Sequence, residues 1–130
     1  MNDIISFLQT IDTPTVCNAI ELLDVRPGSE NFTSSKIKCL YPELGPMAGY
    51  AVTVQIETVT KMEPRDPEIT MSLYEAVEAS PKPVVVVIQE IGGHREFASH
   101  TGDVMTTLLQ NFGAIGLVTA CNVGDFNEVR

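Results

Sequence analysis

The two clearest hydrophobic patterns lie in the second half of the chain. Residues 84–88, Val-Val-Val-Val-Ile, form a continuous β-branched run of the kind found where a parallel sheet is covered on both faces. From Thr101 onward, Val104, Met105, Leu108, Leu109 and Phe112 recur at helical spacing and predict a helix with one apolar stripe. Gly113 follows as its C′ residue. Residues 115–120 predict another buried strand, residues 121–124 a loop, and Asp125 onward the first turn of a helix. A strand, a helix and a strand in this order imply two parallel strands joined by a crossover.

Earlier segments are patterned less regularly. Thr13-Pro14 reads as a helix start, with the Thr13 hydroxyl as N-cap and proline at the first helical position. Val16, Ile20 and Leu23 then share a face, and Arg26-Pro27-Gly28 ends the segment. Turn residues dominate 29–46, with one weak strand over 36–40, and 48–58 is a better strand with β-branched residues at alternating positions. Charges and two prolines over 61–67 predict an exposed loop, and 68–79 predict a helix bearing Leu73, Ala76 and Val77, stopped by Pro81-Lys82-Pro83. The expected fold class is α/β, a mixed or parallel sheet flanked by helices. A length of 130 residues fits one domain spanning 1–130.

Charge narrows the function classes. Eight Lys and Arg stand against 17 Asp and Glu, a net charge of −9. Phosphate backbones need clustered basic residues, so nucleic acid is disfavoured as a partner, and so is an anionic membrane face. No apolar stretch approaches the length of a membrane span. The N-terminal apolar stretch, residues 4–8, is too short for a signal core. Three scattered cysteines, Cys17, Cys39 and Cys121, suit reduced thiols in a cytoplasm better than a disulfide framework. Small molecules, metals and other proteins are left as partners.

Ligands of open α/β sheets collect beyond the carboxyl ends of the strands. Here those ends lead into residues 90–102 and 121–125, and each segment delivers an acid to a helix start, Asp103 and Asp125. Free amides after Gly102 could hold a carboxylate, and two acids beside them suit a hard cation carrying an anionic substrate. The plainer reading is that both acids complement helix dipoles.

The spacing adds to this. Asp103 is followed by 20 residues, 104–123, and then by Gly124-Asp125. The stretch running from Gly102-Asp103-Val104-Met105-Thr106 through Gly113-Ala114-Ile115-Gly116-Leu117-Val118-Thr119 to Asp125 and Arg130 resembles the RraA-like family. Thr13-Pro14-Thr15-Val16-Cys17-Asn18-Ala19-Ile20 is similar to that family's first helix. The family includes divalent-metal-dependent 4-hydroxy-4-methyl-2-oxoglutarate aldolases, which also decarboxylate oxaloacetate, and the RraA regulators of ribonuclease E. The resemblance implies a swivelling α/β/α fold, a homotrimer or hexamer, and a lyase using Mg²⁺ or alternatively Mn²⁺ on a small 2-oxo acid. It implies Asp125 as metal ligand and Asp103 as the acid ordering metal-bound water. Backbone amides of Gly102, Val104 and Met105 would meet the substrate carboxylate. Gly124 stands where the family motif has an arginine, and Ala120-Cys121 where it has Asp-Gly. Family members continue past this motif with a strand-rich segment, so a shortened protein or part of a longer one is expected. The alternative reading is a catalytically inactive RraA-like binding or regulatory protein.

Remaining candidates are weaker. His94 and His100 read as solvated loop histidines, lacking further ligands nearby in sequence. Cys121 reads as an inert thiol with no histidine placed by sequence to activate it. Gly113-Ala114-Ile115-Gly116 joins a helix to a strand, the wrong order for a dinucleotide loop.

Overall fold

The computed structural model describes residues 2–58 and 66–130, which fall into two compact units divided between Ala48 and Gly49. Residues 61–65 of the expected loop lie outside the described residues.

The first unit holds two helices, α1 (Asn2–Leu8) and α2 (Thr13–Glu21), and short 3₁₀ turns at Gly28–Glu30 and Pro42–Leu44. The cap of α2 is one residue earlier than the sequence suggests. Asp12, in extended conformation, accepts the Thr15 amide at 2.7 Å, so Thr13 and Pro14 are the first helical residues. A carboxylate reaches this orphan amide and carries charge that favours the helix start. The weak strand expected over 36–40 does not form. Ser34 turns the chain instead, its hydroxyl accepting the Lys36 amide and its carbonyl the Ile37 amide. Such local side-chain bonds compete with sheet pairing.

The second unit carries the sheet. Strands β1 (Tyr50–Ile56), β2 (Val84–Glu90) and β4 (Ala114–Thr119) pair in parallel, in the order β1-β2-β4. Helix α3 (Pro67–Ala79) connects the first two, and α4 (Asp103–Asn111) lies between the last two. This is the α/β arrangement with a parallel sheet flanked by helices that the pattern predicts. Alternate residues of β2 drive its packing: Val84, Val86, Ile88 and Glu90 all point to one buried row. Leu73, Tyr74 and Val77 of α3, Leu109 of α4, Val52 and Ala114 complete the core, and the Tyr74 and Phe112 rings lie 5.9 Å apart. No helix among the described residues is long and apolar enough to cross a membrane.

Two further strands escape periodicity. Residues Ser99–Thr101 (β3) pair in parallel with Asn122–Val123 (β5), through Ser99↔Asn122 and Thr101↔Val123. Helix α4 therefore starts at Asp103, since Thr101 is already held in a strand. The turn after Asp125 is closed by Glu128 and Val129 amides on the Asp125 carbonyl, without continuing as a helix among the described residues.

Gly113 does end α4 as expected, with φ +96° and its amide on the Gln110 carbonyl. A Cβ there would sit 2.8 Å from Lys82 Cδ, which a flexible side chain can relieve, but the backbone angle remains strained. Gly113→Ala is therefore expected to destabilise the fold by about 1–2 kcal/mol, read as a lower urea midpoint with an unchanged slope.

Candidate functional site

Because β1, β2 and β4 are parallel, their carboxyl ends share one edge of the sheet, and the segments that follow β2 and β4 contribute β3 and β5 to a separate two-stranded sheet. Two groups of side chains gather there.

The first is centred on Glu90, the last residue of β2. The strand's alternation forces its carboxylate into the same row as Val84, Val86 and Ile88, and the residue is only 1% exposed. An ionised carboxylate in such surroundings requires partners for both oxygens. Oε1 accepts the amides of Thr58 (2.9 Å) and Gly92 (2.7 Å). Oε2 accepts the Thr58 hydroxyl (2.7 Å) and His100 Nε2 (2.6 Å). Burial alone pushes this carboxyl upward, but the Thr58 amide and hydroxyl, His100 and the Gly92 amide together hold it down at about 2. Since an ionised carboxylate only accepts, the Nε2 of His100 carries the proton. Gly92 is required for this approach, because a Cβ there would lie 2.7 Å from Glu90 Oε1 and 3.1 Å from the Thr58 carbonyl.

Cys121, just past β4, joins this group. A carboxylate oxygen of Glu90, an imidazole nitrogen of His100 and the Cys121 thiol all lie within 4.8 Å of one another, a set able to hold a metal ion. His100 thus departs from the solvated-loop expectation: it is half-buried on β3, while His94 stays exposed. Strand β3 also brings a histidine beside Cys121 that sequence separation had hidden. The usable signal was Glu90 itself, a charge closing an apolar run in step with its buried positions.

The second group is at the start of α4. Asp103 and Asp125, 22 positions apart, meet there: the Asp103 amide donates to Asp125 Oδ2 at 3.2 Å. Both residues are exposed. Asp125 has φ +48°, a left-handed conformation that short polar residues tolerate best. Gly102 makes the approach possible, since a Cβ there would lie 2.7 Å from Asp125 Oδ2. The Val104 amide is engaged by Asp103 Oδ1 at 2.7 Å. Met105 is half-buried in the first turn of α4 and touches the core. Gly124 follows β5, its amide donating to the Thr101 carbonyl at 2.7 Å.

In comparison with known proteins, the RraA-like family model, described as Aldolase/RraA, matches residues 13–130. Neither the curated proteins nor the solved structures give a match.

Proposed function

This chain belongs to the RraA-like family, and from that premise we propose that it is a divalent-metal-dependent lyase of the 2-oxo-acid aldolase or oxaloacetate decarboxylase type. The observation that carries the reading is the meeting of Asp103 and Asp125 at the first turn of α4. The Asp103 amide holds Asp125 Oδ2 there and Asp103 Oδ1 accepts the Val104 amide; exposed carboxylates of this kind are hard oxygen donors that suit Mg²⁺ or Mn²⁺. Gly102 leaves the space beside Asp125 Oδ2 that a side chain would fill. The donors therefore fit the ion.

Asp125 is the proposed ligand, and Asp103 orders the water around it. When bound, the cation supplies Lewis-acid polarisation of the 2-oxo group as charge develops there. The protein's own contribution is placement. Amides of Gly102, Val104 and Met105 at the positive end of α4 orient the substrate carboxylate. For Val104 this requires Asp103 Oδ1 to release the amide it now accepts. Exchange of that amide from carboxylate to substrate would turn Asp103 toward the water. The proposed setting is a cytoplasmic homo-oligomer, a trimer or hexamer.

A second reading, an inactive RraA-like binding or regulatory protein, is favoured by Gly124 at the motif's arginine position. Pyruvate release from oxaloacetate separates the two. The lyase gives release above the metal-only background with Mg²⁺ or Mn²⁺ and none with EDTA, while a folded protein at background sinks enzymatic decarboxylation. Metal binding is checked independently by melting. Because a ligand confined to the native state stabilises it by RT ln(1 + [L]/Kd), saturating Mg²⁺ is expected to raise Tm by a few degrees, and Asp125→Ala to abolish that rise.

A further inference from the structure

We propose that Glu90, His100 and Cys121 form a second metal site, for a borderline divalent ion of the zinc class. It shares no residue with the Asp103–Asp125 pair and does not rest on the lyase reading. Three observations carry it: the donors differ in type, they come from the end of β2, from β3 and from the segment after β4, and they already converge.

The donor set is one oxygen, one nitrogen and one sulfur within 4.8 Å. In tetrahedral zinc sites, metal–ligand bonds of about 2.0–2.3 Å put the donors about 3–4 Å apart, so Glu90 Oε2 and His100 Nε2, now 2.6 Å apart in a hydrogen bond, would separate slightly as the ion enters among the three donors. Thiolate and imidazole select against Mg²⁺ and Ca²⁺ and in favour of zinc-like ions. Charge agrees with this choice. Among the described residues, the only ion-pair partner of the buried Glu90 carboxylate is His100. A divalent ion would balance Glu90 and a Cys121 thiolate together, with neutral His100 as third ligand. Binding releases the thiol proton to solvent; if Nε2 becomes the ligand, a neutral ring moves that proton to Nδ1, and a ring already protonated at Nδ1 loses it to solvent, so that His100 ligates as a neutral imidazole.

The surroundings are those of a held ligand. Thr58, through amide and hydroxyl, and the Gly92 amide fix the Glu90 carboxylate. Metal-ligating carboxylates are hydrogen-bonded in this way, and such supports are worth about 10–100-fold in metal affinity. The Cys121 amide is anchored on the Thr119 hydroxyl at 3.1 Å. Cys121 is only half-buried, which leaves that side of the site open to a fourth ligand.

The test is Co²⁺ titration of the full, reduced chain after stripping with chelator. The expected result is a saturable near-ultraviolet thiolate-to-metal band with one equivalent of Co²⁺, displaced by Zn²⁺ and unaffected by excess Mg²⁺. Cys121→Ser removes the band, and His100→Gln weakens binding. Thr58→Val lowers Co²⁺ affinity about 10–100-fold. Asp125→Ala leaves the band intact, as does the double substitution Cys17→Ser and Cys39→Ser, so loss of the lyase activity and loss of this site are told apart. Circular dichroism establishes folding of each variant. No thiolate band in the folded wild-type protein would overturn the proposal, as would a band that survives Cys121→Ser or disappears in Asp125→Ala.

Discussion

Glu90→Ala is expected to be the most damaging single substitution in the described fold, costing roughly 3–5 kcal/mol of stability, because one member of a buried charged network is removed and the rest is left behind. Folded domains hold only about 5–15 kcal/mol in total, so the variant would populate unfolded chains at ambient temperature. The cost comes from what Glu90 satisfies. Without it the amides of Thr58 and Gly92 and the proton of His100 Nε2 are stranded at the end of β2. Glu90→Gln keeps the shape and one acceptor oxygen, and is expected to cost less. Urea unfolding with a chelator present measures both. A midpoint for Glu90→Ala within error of the wild type would mean that the network contributes nothing.

The same residue makes stability depend on pH in the acid range. Its carboxyl is held at about 2 in the native state, against 4.5 for the unconstrained group. Between those values the unfolded chain binds a proton that the native chain does not, so stability falls as pH falls. The contribution is fully present above pH 4.5 and is lost on descent towards pH 2. Comparing urea midpoints at pH 6 and pH 3 checks this: the wild type should lose more than Glu90→Gln over that interval.

The second large effect concerns rate. Gly124→Arg is expected to raise kcat/KM for metal-dependent pyruvate release by about 10²–10³-fold, the usual worth of one preorganised donor to a developing oxyanion. The backbone allows the change. A Cβ at Gly124 would stand 3.3 Å from the Thr101 carbonyl and 3.8 Å from Ser99 Oγ, so the carbonyl must yield by a few tenths of an ångström. The side chain would emerge beside Asp125. Equal activity in a folded, metal-binding Gly124→Arg protein would count against a 2-oxo acid poised at Asp125 and strengthen the binding-protein reading.

Legibility in the sequence followed the length of the signal. The strand at 84–88 was readable because burial alternates along it, and the helix because Met105, Leu109 and Phe112 recur against the core, although Val104 and Leu108 of the same stripe are exposed. Strands β3 and β5, with three and two residues, carry no period, and their pairing depends on loops closing in space. The strand expected near Lys36 failed because Ser34 offers the backbone a local partner that propensity does not count. In the site, convergence of Asp103 and Asp125 was legible from a strand–helix–strand unit, which returns the chain to the same edge after a fixed spacing. The Glu90 network was not. His100 was read with His94, its neighbour in the same stretch of chain, whereas β3 turns it toward a residue ten positions earlier.

A strand of four consecutive valines is nearly self-similar, and the buried row of β2 leaves one asymmetry in it. Slipping β2 by one residue against β1 would turn Gln89 inward, and the loss of apolar burial would reject it. Slipping by two keeps every parity and exchanges only β-branched residues at the middle of the row, Val84, Val86 and Ile88. The sharpest difference is at the tip, because Glu90 would then leave the amide and hydroxyl of Thr58 behind. The carboxylate is an index mark on an otherwise repeating ruler, telling β2 how far to travel before it stops.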